Sequence, residues 1–224
     1  MKKITTIKIA FITIATALTL GCQSTSDAPK TSPDGMDLKV SSRSTVAYKK
    51  EGVDFSEYNK VLILPSQVAF KKNWQRNYNR DRASLSTRLN DQDVLQIKAG
   101  VAKLFDEVFA EEFSKNNEKL LVKEAATGVM LMKPVILDLE VNAPDKMTAT
   151  SSRTYVSEAG QATLFLELYD SVSGEILARI IDNETIGDNN YARWANRVTN
   201  TADAKRTIRK WAKALRNKYE QSQN

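Results

Sequence analysis

Residues 90–113 read NDQDVLQIKAGVAKLFDEVFAEEF, and this stretch carries the strongest structural signal of the chain. Asn90 can cap the amino terminus of a helix, and Asp91 and Asp93 supply the carboxylates that the free N–H groups of a first turn favour. Apolar residues then recur at spacings of three and four, which predicts a core-packing α-helix of about 24 residues. These apolar positions are Val94, Ile97, Val101, Leu104, Phe105, Val108, Phe109 and Phe113.

Strand patterns lie on both sides of this helix. Residues 58–64 form a short aliphatic run that ends at Pro65, which is typical of a buried strand. Residues 129–141 alternate, and Pro134 within them indicates an edge position or a bulge. The alternation predicts one apolar face made of Val129, Leu131, Val135, Leu137, Leu139 and Val141.

A hairpin is predicted further along the chain. Residues 162–170 place Leu164, Leu166 and Leu168 on one face, and DSVSG at residues 170–174 predicts a turn into a second arm over residues 175–185. We also expect a short strand at residues 119–123, a short helix around Trp194 within residues 189–198, and a last helix that starts at Thr201 or Asp203. Its apolar stripe is Ile208, Trp211, Ala212, Leu215 and Tyr219.

The order of these elements predicts an α+β fold in a single domain. The sheet is mainly antiparallel, and the long central helix and the C-terminal helices pack on it. Several enzyme classes are excluded by composition, because the 224 residues include no histidine and only one cysteine. Nucleophile systems that need a histidine base, histidine-ligated zinc sites and internal disulfides are therefore absent. The eight glycines fall in no phosphate-binding motif, so we expect no cofactor.

The amino terminus has the pattern of an export signal. Lys2, Lys3 and Lys8 precede an apolar run over residues 9–20, which is too short to span a bilayer as a helix. Residues 18–22, LTLGC, resemble the lipobox of bacterial lipoproteins, which ends in a cysteine that is lipidated after cleavage. The resemblance implies a signal peptide over residues 1–21 and a lipid anchor on Cys22. The alternative is an ordinary cleaved signal followed by a free cysteine.

By the same resemblance, Gln23 implies an outer-membrane lipoprotein on the periplasmic face of a Gram-negative envelope. Residues 22–51 are rich in Ser, Thr, Lys and Asp without apolar period, which predicts a flexible tether, and residues 52–224 then form the periplasmic domain. Removal of the signal peptide lowers the net charge from +6 to +3. We therefore expect no nucleic-acid partner.

The body resembles a family of Gram-negative outer-membrane lipoproteins of unknown function. The similar stretches are FSEYNKV at residues 55–61, the strand at residues 134–141, and LELYDSVSGEILA at residues 166–178. The resemblance implies a periplasmic α+β domain and supplies no catalytic residues.

The segment between the first strand and the long helix is the main candidate site. Residues 70–88 contain six cations against one acid, interleaved with aromatic rings, and are predicted to form a long loop. Arginine and aromatic side chains together favour phosphates, carboxylates or sugar rings, so we expect an envelope protein, murein or anionic lipid to bind here. The alternative is a solvated loop with one aromatic ring tucked inward. The candidate residues are Lys71, Lys72, Trp74, Arg76, Tyr78, Arg80 and Arg82.

Three other possibilities stay open at this point. Asp138 and Glu140 stand two residues apart and could act as acid and base of a murein hydrolase, although alternation alone accounts for polar residues there. A small-ligand carrier would have its pocket between sheet and helix. The basic face of the last helix could lie on an anionic partner or simply face water. We expect a non-enzymatic binding or scaffold module.

Overall fold

The computed structural model describes residues 28–80, 82–115, 120–144, 154–188 and 191–223. Its strands are β1 (Asp37–Ser41), β2 (Thr45–Lys49), β3 (Lys60–Ile63), β4 (Gln67–Phe70), β5 (Val129–Val141), β6 (Thr154–Val156), β7 (Gly160–Asp170), β8 (Ile176–Ile186) and β9 (Arg193–Ala195). Its α-helices are α1 (Trp74–Arg80), α2 (Asp91–Ser114) and α3 (Arg197–Ser222). The predicted signal peptide and the predicted lipidation site, Cys22, lie outside the described residues.

Seven strands form one mainly antiparallel sheet. Its order is β1-β2-β8-β7-β5-β3, and β4 also pairs with β5. Only β3 and β4 run parallel to their partner β5. A separate ribbon of two strands joins β6 to β9. The prediction of a single α+β domain with a mainly antiparallel sheet is confirmed.

Helices α2 and α3 cover one face of the sheet and close the core. The leucines of β7 at positions 164, 166 and 168 are buried beneath them, as the alternation predicts. The hairpin of β7 and β8 forms across the predicted turn, with Leu166 opposite Ile180. Its tight turn is closed by the carboxylate of Asp170, which accepts hydrogen bonds from the backbone N–H groups of Val172 and Ser173 at 3.0 and 2.7 Å.

The amino terminus of α2 matches its prediction. The side chain of Asn90 accepts a hydrogen bond from the N–H of Asp93 at 2.8 Å, and the carboxylate of Asp93 accepts one from the N–H of Asn90 at 2.9 Å. This reciprocal pair is a capping box, which satisfies two N–H groups at the start of the helix. Burial is uneven along α2, however, because Val94, Ile97 and Val101 are only partly covered.

The predicted apolar face of β5 is wrong over most of its length. The residues that face the core are Met130, Met132 and Ile136, whereas the odd-numbered Leu131, Val135 and Leu137 are only half-buried. The pairing with β7 shifts between Leu137 and Glu140. Asp138, at φ 49°, lies in this bulge. Because a bulge inserts one residue, it moves Leu139 into the core and reverses the alternation.

The proline of β5 does not mark an edge. Pro134 is opposite Leu166 of β7 on one side. On the other side it lies between the two parallel pairings, which end at Met132 and resume at Val135. The missing N–H of the proline therefore falls where the neighbouring chain passes from β3 to β4, and β5 is an interior strand.

The second half of the predicted tether belongs to the folded body. Strand β2 pairs with β8 over five residues, and β1 pairs with β2 at the edge of the sheet. Met36 is fully buried, and Asp34 forms an ion pair with Arg179 of β8. The polar composition of residues 22–51 hides these strands, because β1 is an edge strand with little buried surface and β2, between β1 and β8, fully buries only Tyr48.

Three further predictions need correction. Trp194 lies in β9 rather than in a short helix, opposite Tyr155 of β6. Helix α3 starts earlier than expected, with Asn196 as its N-cap. The predicted strand at residues 119–123 is reduced to an isolated parallel bridge between Leu121 and Val61. The apolar stripe of α3 is confirmed, because Ile208, Trp211, Ala212 and Tyr219 are buried and Leu215 packs against the core.

Candidate functional site

The basic segment between β4 and α2 contains a short helix instead of a continuous loop. Trp74 begins α1 and is buried, with its ring stacked on Phe70 at 4.3 Å between centroids. Its indole N–H donates a hydrogen bond to the carbonyl of Val141 at 3.3 Å. Trp74 therefore fixes α1 to the sheet, which agrees with the alternative of one aromatic ring tucked inward.

The side of α1 that faces α2 is held by amide side chains. The side chain of Asn79 accepts a hydrogen bond from the N–H of Leu89 at 2.7 Å and donates one to its carbonyl at 2.8 Å. Gln75 donates to the carboxylate of Asp91 at 3.0 Å. These bonds attach the segment before α2 to the helix, so the residues of both can present one surface.

Three arginines surround one open depression on that surface. Arg76 and Arg80 stand one helical turn apart on α1, and Arg88 comes from the segment before α2. The depression has a volume of about 440 Å³, and its other lining residues are Asn77 and Asn79. Arg76 and Arg80, four residues apart, project from the same side of the helix. We call Arg76, Arg80 and Arg88 the arginine cluster.

Tyr78 of α1 and Arg82, which follows the helix, form a stacked pair. The guanidinium carbon of Arg82 lies 3.4 Å from the centroid of the Tyr78 ring, and Arg82 donates to the carbonyl of Tyr78 at 2.8 Å. Burial raises the pKa of Tyr78 above its ordinary value, and the charge of Arg82 opposes this shift. Arg88 donates to the carbonyl of Arg82 at 2.9 Å. The pair therefore supports Arg88 from outside the depression.

The two lysines of the segment lie apart from the arginine cluster. Lys71 forms an ion pair with Glu140 of β5 at 2.6 Å, and Lys72 is exposed. Of the predicted site residues, the structure thus brings Arg76 and Arg80 together. It adds Arg88 and the two asparagines, which sequence analysis did not select, although Arg88 belongs to the same basic run.

The basic face of α3 is engaged by carboxylates of the protein itself. Its ion pairs join Lys205 to Glu111, Arg206 to Asp203, Arg209 to Glu111 and Glu112, Lys210 to Glu184, and Arg216 to Glu112 and Glu220. Five of the seven cations that make up this face are held in this way, and the other two, Lys213 and Lys218, are exposed. The arginine cluster differs in that its three guanidinium-bearing residues line one depression.

The predicted carboxylate pair does not form a catalytic cleft. Asp138 is exposed at the bulge, and Glu140 is held by Lys71 and by the side chain of Gln161. Within the described residues no group of acidic or cysteine side chains could hold a metal ion. Nor does any helix there have the length and apolar character needed to cross a membrane.

An apolar groove lies between α2, α3 and the sheet. It has a volume of about 470 Å³, and its floor includes Leu139, Ala162 and Ile186. Its walls are the first half of α2, with Ile97 and Val101, and the first half of α3. The partial exposure of these α2 residues is explained by the groove, because α3 does not cover them.

Comparisons with known proteins show the family of the chain and leave its activity open. The chain belongs to a family described as a protein of unknown function, DUF3313, whose model matches residues 35–215. No relative matches among the curated proteins.

Solved structures to which the chain shows a distant similarity come from several bacteria. A PelC dodecamer variant from Paraburkholderia phytofirmans is 8% identical, with a TM-score of 0.36, over 77% of this chain and 97% of that one. Protein XCC0632 of Xanthomonas campestris, from the DUF330 family, is 11% identical, with a TM-score of 0.38, over 71% and 82%. A structure named a "putative lipoprotein" from Caulobacter crescentus is 12% identical, with a TM-score of 0.30, over 74% and 89%.

Proposed function

We propose that this protein is a non-enzymatic binding module of the bacterial cell envelope that holds a phosphate-bearing component through its arginine cluster. The lipobox-like sequence supports an anchor on Cys22 at the periplasmic face of the outer membrane. The observation that carries the binding role is the convergence of Arg76, Arg80 and Arg88 on one depression.

Phosphate fits this depression better than a carboxylate does. A guanidinium presents N–H groups in a planar fork that matches phosphate oxygens, and three of them can share the several oxygens of one phosphate group. A carboxylate has only two oxygens and a single charge. Asn77 and Asn79 add amide groups at the same surface.

The anchor is tested by metabolic labelling. Radiolabelled palmitate should enter the wild-type protein and not the Cys22→Ala variant, because only the cysteine sulfur can carry the diacylglycerol. Equal labelling of the two proteins would contradict the proposal.

Binding is tested by crosslinking in intact cells. A photoreactive amino acid in place of Asn77 stands at the depression, and mass spectrometry identifies what it captures. We expect a phosphate-bearing adduct that disappears in the Arg76→Glu, Arg80→Glu double variant. A matched control reverses Lys72, which is exposed and outside the depression. Identical adducts from the double variant and the parent would contradict the proposal.

A further inference from the structure

The dimensions of the apolar groove fit one linear hydrocarbon chain. Its lining residues run from Asp93 to Glu107 on α2 and from Arg197 to Trp211 on α3. At 1.5 Å per residue, each wall is about 21 Å long. A volume of about 470 Å³ is sufficient for one extended hydrocarbon chain along walls of this length.

One end of the groove abuts the arginine cluster. Leu89 lines the groove and Arg88, the preceding residue, lines the depression. Asn79 lines the depression as well, and its side chain bonds both backbone groups of Leu89. The buried residue Leu89 therefore lies where the end of the apolar groove meets the arginine cluster.

We propose that the groove and the arginine cluster bind the two ends of one ligand, an anionic lipid with a single acyl chain and a phosphate headgroup. The chain lies between α2 and α3, and the phosphate meets Arg76, Arg80 and Arg88. This inference rests on the proposed function, since it uses the same cluster as the headgroup site.

The sequence of α2 supports an apolar occupant. Ile97 and Val101 line the groove and continue the apolar stripe of the helix but remain partly exposed, and exposed apolar area is unfavourable in water. Gly100 lies between them on the groove wall, and a Cβ atom added there would meet nothing within 4 Å. The absence of a side chain at this position keeps the slot open.

A groove-filling substitution tests the acyl-chain site. The full chain carrying Cys22→Ser is titrated with palmitoyl lysophosphatidic acid whose chain is brominated, and quenching of Trp211 in the groove reports binding. Gly100→Phe should weaken binding by about tenfold or more, because its ring occupies the slot. Ala99→Phe adds the same ring at an exposed neighbouring position outside the groove and should bind as the parent does.

Circular dichroism establishes that each variant is folded, and Gly100→Leu serves as a second filling variant. Parental affinity in folded Gly100→Phe and Gly100→Leu would overturn the inference.

The headgroup contact is tested with matched ligands. In the Arg76→Glu, Arg80→Glu variant, lysophosphatidic acid should bind about tenfold more weakly, whereas neutral monopalmitoylglycerol should bind about equally. If this variant loses inorganic pyrophosphate but keeps its parental affinity for lysophosphatidic acid, the two-ended site is wrong and the proposed function stands. If the parent does not bind pyrophosphate at all, the phosphate site itself fails.

Discussion

Glu112 of α2 accepts a hydrogen bond from Arg209 of α3 at 3.0 Å while only 1% of the glutamate is exposed. Arg216 and Lys115 pair with the same carboxylate. Burial acts against ionisation of Glu112, but the hydrogen bond and charge of Lys115 and the charges of Arg216 and Arg209 outweigh it and lower the pKa of Glu112. This group joins the two helices beyond the end of the groove.

Replacing Glu112 with Gln should therefore destabilise the fold at neutral pH. We expect a loss of about 1–3 kcal/mol in the free energy of unfolding, less than for a fully buried pair because Arg209 and Lys115 can still reach water. Urea denaturation followed by circular dichroism measures it. Glu111→Gln, at an exposed neighbour that also pairs with Arg209, should cost less than about 1 kcal/mol.

The same contact has a defined pH dependence. A carboxylate whose pKa is lowered on folding stabilises the protein above its unfolded pKa, here the ordinary 4.5, and loses that contribution as the pH falls further. The difference in unfolding free energy between wild type and Glu112→Gln should thus shrink when the pH drops from 7 to below 4. A difference that stays constant would contradict the ion-pair assignment.

Tyr169, on the other face of the sheet, should make stability depend on pH in the alkaline range, as Glu112 does in the acidic range. Its hydroxyl donates to Glu167 at 2.7 Å, and burial, together with the hydrogen bond and charge of Glu167, raises its pKa to about 12. A tyrosine whose pKa rises on folding stabilises the protein fully below its unfolded value of 10 and loses this contribution as the pH approaches 12. Stability should therefore fall between pH 10 and 12 less steeply in Tyr169→Phe than in wild type. Urea denaturation tests this, with the exposed Tyr191→Phe as the control.

Substitution of glycine by alanine should change the free energy of unfolding in opposite directions at Gly160 and Gly100. A Cβ atom on Gly160 would overlap the carbonyl oxygen of Glu140 and lie 2.9 Å from its carbonyl carbon, beside the bulge of β5. Gly160→Ala should cost about 1–3 kcal/mol or more of unfolding free energy. Gly100→Ala meets open space within a helix and should add up to about 1 kcal/mol. Thermal and urea unfolding of the two variants measures these changes. Equal effects of Gly160→Ala and Gly100→Ala would contradict the close approach at Gly160.

We expect Trp74 to contribute to the stability of the fold and not to pyrophosphate binding. Trp74→Ala removes a buried ring that anchors α1, and we expect a loss of about 3–5 kcal/mol. Trp74→Phe retains the stacking on Phe70 but loses the indole donor, so it should cost about 1 kcal/mol. Folded Trp74→Phe should bind pyrophosphate as wild type does. A large loss of pyrophosphate affinity in folded Trp74→Phe would instead indicate that Trp74 contacts the ligand.

The elements with strong local signals could be predicted from the sequence. Helix α2 has its cap and its apolar period within one stretch, and the hairpin of β7 and β8 has its turn chemistry between two alternating runs. The face of β5 could not be predicted, because the bulge at Asp138 depends on pairing with β7 and reverses an otherwise regular alternation. Strand β9 could not be predicted because its partner, β6, lies far away along the chain. Strand β1 could not be predicted because it lies at the edge of the sheet and has little apolar pattern.

The candidate site was predictable only in part. The run of cations drew attention to Arg76 and Arg80, and their spacing of four suits one face of a helix. Trp74 looked like a ligand contact because the sequence does not show that Phe70 and Val141 lie beside it. The groove could not be predicted from the sequence, because the apolar spacing of α2 is the same in its partly exposed half as in its buried half.

The burial of Met36 shortens the distance between the body and its proposed point of attachment. Only residues 23–35 separate that methionine from Cys22. Fully extended, the chain from Cys22 to Met36 reaches no more than about 50 Å. With the proposed anchor on Cys22, the body would stay within that distance of the bilayer, and the lipid proposed as its ligand would reach it there.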